Sequence, residues 1–159
     1  MIMPSASILI VDDMPDKHLV FRTILEDLGE NIVSARSGRE ALAQVLDHEF
    51  AVILLDVNMP DINGLETATL IRQHKRSAKT PIVFITAYVD ELRARRGYAL
   101  GAVDYISSPV VPEVLRSKVR VFVELFRMNR QLQLRAAESE ALARAQAARA
   151  AAEQAIARA

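Results

Sequence analysis

Three carboxylates and a hydroxyl stand at the ends of three short apolar runs. Ile8-Leu9-Ile10-Val11 leads into Asp12 and Asp13, Ala51-Val52-Ile53-Leu54-Leu55 into Asp56, and Pro81-Ile82-Val83-Phe84-Ile85 into Thr86. Runs that are apolar throughout, rather than alternating, are the pattern of parallel strands covered by helices on both faces. Ligands of open parallel sheets bind beyond the carboxyl ends of the strands, so these four groups are expected to meet at one rim. Oxygen donors gathered there favour a hard cation and a phosphate. Read singly, the residues have plainer uses: Asp12 and Asp13 suit the start of a helix, and Thr86 is an ordinary strand residue. Asp56 is harder to place without a partner, because a carboxylate directly after five apolar residues is costly unless paired or metal-bound.

The elements that must position these groups alternate between strand and helix patterns, which predicts a doubly wound α/β fold, (βα)5, with a five-stranded parallel sheet. After the first run, Pro15 suits a first helical turn, and Leu19, Ile24, Leu25 and Leu28 are expected along one face up to a stop at Gly29. A second strand is predicted over Asn31 to Ala35. Ser37 and Glu40 form a capping box ahead of Ala41, Leu42, Val45 and Leu46. A loop with Pro60 and Gly64 leads into a helix bearing Leu65, Ala68 and Ile71. A helix from about Asp90 closes at Gly101, and the fifth strand is predicted over Ala102 to Ile106.

From Pro112 onward neither Gly nor a further Pro interrupts the chain, and 13 of the last 24 residues are alanine, the best helix former. One helix of about fifty residues is predicted, too long to pack throughout on a small domain. The organisation expected is therefore a domain over residues 5–125 and a projecting coiled-coil linker over 126–159. Val119, Phe122 and Phe126 are expected to dock on the sheet. Val121, Leu125, Met128 and Leu132, extended by Leu142 and Ile156, form a 4-3-4 stripe that a second copy would cover in a parallel homodimer. Arg135, Ser139, Gln146, Arg149 and Glu153 interrupt that stripe. The helix pattern still open at Ala159 suggests a piece of a longer protein.

Composition narrows the class. There is no cysteine, hence no disulfide and no thiolate metal site. No apolar stretch reaches membrane-spanning length and the start lacks a signal-peptide layout, so the expected address is cytoplasmic, with no membrane partner. The zero net charge hides an asymmetry: residues 1–109 hold 11 Lys/Arg against 15 Asp/Glu, and residues 110–159 hold 9 against 5. The basic arm lacks stacking aromatics beyond Phe126, which argues for a solvated helix face over nucleic-acid binding.

Taken together, the acidic pair Asp12-Asp13, the stretch Asp56-Val57-Asn58-Met59-Pro60 continuing to Gly64, Thr86-Ala87, and Gly101 to Tyr105 followed by Pro109 resemble the receiver domain of two-component response regulators. The matches run over residues 5 to about 125 in the family's order and spacing. The resemblance implies a flavodoxin-like fold in which Asp56 accepts a phosphoryl group from a phosphohistidine on a sensor histidine kinase or phosphotransfer protein. It implies Mg²⁺ as cofactor, bound by Asp13, Asp56 and the backbone carbonyl of Asn58, with Asp12 acting through water. It further implies that Thr86 and the amide of Ala87 hold the phosphoryl oxygens. Tyr105 would reorient with Thr86 and expose a changed surface on the helix between the fourth and fifth strands and on the fifth strand. Such a domain is not an enzyme on other substrates: it catalyses only its own phosphorylation and dephosphorylation, and Asn58 and Tyr88 stand where the family tunes dephosphorylation. An output module or partner would receive the change through the last helix.

One position departs from the pattern. Receivers usually carry a lysine directly before the proline that follows the fifth strand, and here the segment reads Ser107-Ser108-Pro109. Ser108 offers one neutral hydrogen bond and no charge, which leaves open an alternative: a pseudo-receiver that uses the fold for interaction without phosphate. By the same resemblance the Ser108–Pro109 bond is expected to be cis. A haloacid-dehalogenase-type phosphohydrolase is disfavoured, since its usual second aspartate would stand where Asn58 does.

Overall fold

The computed structural model describes residues 6–91 and 104–158. Its elements are β1 (Ser7–Val11), α1 (Pro15–Leu25), a 3-10 turn (Glu26–Leu28), β2 (Asn31–Ala35), α2 (Gly38–Asp47), β3 (Val52–Asp56), α3 (Gly64–Gln73), β4 (Ile82–Thr86), β5 (Asp104–Ser107) and α4 (Pro112–Arg158). The strands form one sheet in the order β2-β1-β3-β4-β5, every pair parallel. This is the doubly wound α/β fold expected. Residues 89–91 are helical. The rest of the helix expected from Asp90 to Gly101 lies outside the described residues, as does the predicted strand start at Ala102.

Both faces of the sheet are covered, which is why the strands read as unbroken apolar runs. Leu9, Val11, Ile53, Leu55, Ile82 and Phe84 face a core shared with α2 and α3. Ile8, Ile10, Val52, Leu54, Val83 and Ile85 face the other, shared with α1 and the start of α4. β3 and β4 are buried at every position.

The helix ends follow local chemistry with two adjustments. Ser37 caps α2 by accepting from the Glu40 N–H at 3.0 Å, but the Glu40 carboxylate reaches back to the N–H of Arg36, not to Ser37. A full capping box forms instead at α3, where Asn63 and Glu66 exchange bonds. Gly29, at φ 67°, ends the first helical segment in the left-handed conformation that glycine adopts without a Cβ penalty.

Two expectations about helix faces are corrected. Leu19 is exposed on α1, and Leu46 on α2. The buried face of α1 consists of His18, Phe21, Ile24 and Leu25, one helical period that passes Leu19 by. On α2, Ala41 and Val45 are buried and Leu42 packs against the same core.

α4 runs for 47 residues, as the uninterrupted alanine-rich sequence predicts. Its first part is anchored: Leu115, Val119 and Val123 are buried, with Phe122 and Phe126 packed against the same core. Arg127 pairs with Glu30 and Arg130 with Glu49, tying two further turns to the domain. Residues 132–158 are exposed without exception. No helix among the described residues is long and apolar enough to cross a membrane.

Candidate functional site

Strand register assembles the rim. Val11 pairs with Leu55, so the next residues, Asp12 and Asp56, emerge side by side from β1 and β3. They continue the alternation of Ile8 and Ile10, and of Val52 and Leu54, onto the face covered by α1 and α4. Asp56 in turn pairs with Ile85 and Thr86 with Ser107, while the N–H of Ser108 donates to the Thr86 carbonyl at 3.0 Å. Asp12, Asp56, Thr86 and Ser108 thus lie along one edge because the strands end in step.

Asp12, Asp13 and Asp56 can each present a carboxylate oxygen within 4.8 Å of the others. Asp12 and Asp56 are buried, Asp13 partly so. The charge is only partly compensated. Oδ1 of Asp12 accepts from the Met14 N–H at 2.9 Å, and Oδ1 of Asp56 from the Asn58 N–H at 3.3 Å. Oδ2 of Asp12 has no hydrogen-bond donor among the described residues. Burial, and then the neighbouring Asp12 charge, push the Asp56 carboxyl up to about 6 from 3.8. Burial likewise raises Asp12. A buried carboxylate oxygen lacking a donor, beside two more carboxylates, fits a hard divalent cation bound through oxygen.

The loops keep this geometry tight. A Cβ at Gly64 would come 2.3 Å from the carbonyl oxygen of Asp56 and 2.7 Å from Val57 Cα, so α3 can start this close to the end of β3 only with glycine there. The Gly64 N–H donates to the Val57 carbonyl at 2.9 Å and closes the turn. Within it, Asp61 adopts φ 67° and pairs with Arg39 at 2.9 Å.

Other sequence-predicted residues take up places around the cluster. Asn58 follows β3 and is exposed, as are Ala87 and Tyr88 after β4. The Thr86 hydroxyl is buried and accepts from the Tyr88 N–H at 3.0 Å. Tyr105 is buried in β5, its ring 6.0 Å from that of Phe84. Ser108 is half-buried, and the Ser108–Pro109 bond is cis as expected. Arg93, Arg95 and Arg96, on the helix expected after Thr86 and in principle able to supply the charge missing at Ser108, lie outside the described residues.

Two residues at the site escape sequence reasoning. Nε2 of His18 donates to the Asp12 carbonyl at 2.7 Å, buttressing the end of β1. Nζ of Lys17 stands 3.9 Å from Asp12 Oδ2. The signal was present: Pro15 at the first helical position puts both in the opening turns of α1, directly after the acidic pair.

A parallel sheet ordered 2-1-3-4-5, with an acidic cluster at its carboxyl rim and a buried threonine one strand over, defines a class. The chain belongs to the response regulator receiver domain family, whose model matches residues 8–120. It is 38% identical over 116 residues to the transcriptional regulatory protein SrrA of Staphylococcus aureus, covering 72% of this chain and 47% of that protein. The chain thus spans about half the length of the curated relatives it matches. Among solved structures, the chemotaxis protein CheY4 of Vibrio cholerae aligns with TM-score 0.70 and 32% identity over 75% of this chain and 99% of its own. The receiver domain of a signal transduction histidine kinase from Syntrophus aciditrophicus aligns with TM-score 0.68 and 28% identity, over 76% and 91%. The protein contains a receiver domain of two-component signalling.

Proposed function

We propose that this receiver takes a phosphoryl group from a phosphohistidine of a sensor histidine kinase or phosphotransfer protein onto Asp56, in the cytoplasm. The observation that carries the reading is the meeting of three carboxylates within 4.8 Å around a buried aspartate at the end of β3. An Asp56 oxygen forms a bond to phosphorus as the phosphorus–nitrogen bond breaks, the electron pair leaving with the imidazole. Mg²⁺, held by Asp13, Asp56 and the Asn58 carbonyl with Asp12 through water, would supply the positive charge that lets two anions approach. Thr86 and the Ala87 amide donate to the phosphoryl oxygens. Tyr105, buried against Phe84, is the side chain that follows Thr86 when its hydroxyl turns.

Acetyl phosphate with Mg²⁺ should add one phosphoryl group by intact mass. The adduct should be absent in Asp56→Asn and lose its metal dependence in Asp13→Ala. Labelling of Asp56→Asn at the wild-type level would refute the assignment. No labelling of the wild type by any phosphodonor would favour the pseudo-receiver reading that Ser108 raises.

The change leaves through α4, which we propose pairs in parallel with the same helix of a second chain. Val121, Leu125, Met128 and Leu132 are exposed along one stripe while Val119, Phe122 and Val123 face the domain. Paired helices would bring two receivers to one end and deliver a change in their docking to an output module or partner. In sedimentation the full chain should be dimeric, and Leu125→Glu combined with Leu132→Glu should be monomeric. Both positions are exposed, so this double change leaves the domain folded. A wild-type chain monomeric at high concentration would refute the pairing.

A further inference from the structure

We infer that Lys17 is the side-chain cation that meets the phosphoryl group in this site, in the place where Ser108 offers only a neutral hydroxyl. The inference rests on the phosphoryl-transfer reading above. Charge makes the demand. Three carboxylates and an incoming phosphoryl group exceed what one divalent cation neutralises, and a fixed positive charge aimed at developing anionic oxygens is a strong electrostatic aid.

Lys17 is placed to supply it. Pro15 starts α1 immediately above the rim, so Lys17 sits in the first turn over the face onto which Asp12 and Asp56 emerge. Its ammonium is 3.9 Å from Asp12 Oδ2, an ion pair beyond hydrogen-bond length. The side chain is 39% exposed, so packing does not enclose its head.

Among the described residues, three other cations on the helices covering this face are paired elsewhere. Arg22 donates to Ser34 and the Ile32 carbonyl, Arg116 to the Ile24 carbonyl, and Lys118 pairs with Asp104. Among the described residues, Lys17 is the cation paired with a rim carboxylate. A divalent ion held by the carboxylates would repel the ammonium from Asp12, and phosphoryl oxygens on Asp56, beside Asp12, would offer it an anionic partner.

The step to be measured is transfer from acetyl phosphate. The Asp56 oxygen bonds to phosphorus, the phosphorus–oxygen bond to the acetyl group breaks, and acetate leaves with the electron pair. Labelling rates at saturating Mg²⁺ would be compared for wild type, Lys17→Met, Lys17→Arg and Lys17→Met with Ser108→Lys, alongside Mg²⁺ affinity by calorimetry. Lys17→Met should label about tenfold or more slowly, yet bind Mg²⁺ as tightly as wild type or tighter, since a competing charge is gone. Lys17→Arg should retain most of the rate, and adding Ser108→Lys should restore it.

A residue that merely holds α1 in place would lower rate and Mg²⁺ affinity together and would not be rescued from position 108. That result overturns the inference, as does a Lys17→Met protein that labels at the wild-type rate. In either case a wild type labelled at Asp56 leaves the receiver reading standing. A wild type that binds Mg²⁺ but takes no label overturns both.

Discussion

The carboxyl rim of the sheet and the outer half of α4 are held by opposite physics. At the rim, the backbone is fixed by four parallel pairings while the side chains are like charges brought together out of water. The outer helix has no clustered charge of one sign and no tertiary support: residues 132–158 are exposed throughout and kept helical by alanine. The rim draws on the stability of the fold to keep a reactive arrangement in place. The outer helix contributes nothing to the domain, so it is free to respond to whatever covers it.

The sharpest test of the contrast is at Asp56. Replacing it with Asn should abolish labelling altogether, and yet stabilise the metal-free protein at pH 7 by on the order of 1–3 kcal/mol, because a carboxylate held up to about 6 is ionised there at a cost. Urea denaturation checks the second half. A variant less stable than wild type would show that Asp56 is well solvated and the rim unstrained.

A pair of leucines on one helix tests the other side of the contrast. Leu115→Ala should cost about 2–5 kcal/mol, since Leu115 is fully buried against the sheet. Leu142→Ala, exposed on the outer half, should change monomer stability by less than about 0.5 kcal/mol. Equal effects would mean that the outer helix is packed on something.

pH separates the two regions further. Between the ordinary aspartate value of 3.8 and about 6, the folded protein keeps a proton on Asp56 that the unfolded chain has released. Folding therefore takes up protons in that window. The stability from this group is present at the acid end and lost as pH rises through about 6. Asp12, also raised, acts in the same direction. Wild type should lose more stability than Asp56→Asn between pH 4.5 and 7, and saturating Mg²⁺ should offset that loss, because it binds the ionised cluster.

A change at Gly64 tests how tightly the rim is closed. Alanine there would press on the Asp56 carbonyl at 2.3 Å and should cost about 1–3 kcal/mol. Its labelling rate should fall as well, with α4 unaffected by circular dichroism.

Much of the molecule was legible because local pattern and global fold agree. Unbroken apolar runs imply a sheet covered on both faces, and the absence of Gly and Pro after Pro112 implies one helix. Asp56 was legible for a related reason: a charge at the end of a buried strand must be there for something. Helix faces were less so. Leu19 and His18 are neighbours in sequence, and hydrophobicity favours the wrong one for the interior, because backbone phase and not side-chain type decides which points inward.

By itself, the amino-acid order determined the fold class, the oxygen-donor chemistry of the rim and the continuity of the last helix, since each follows from periodicity, composition or the absence of breakers. Only tertiary structure decided how closely those charges meet and what stands over them. Strand register sets Asp12 beside Asp56, a missing Cβ at Gly64 lets α3 close on the Asp56 carbonyl, and the start of α1 brings Lys17 over the cluster. It also decided where α4 stops belonging to the domain, because Val123 and Phe126 reach the sheet and Leu132 does not. Proximity between residues far apart in the chain depends on how strands end relative to one another, and no local pattern encodes that.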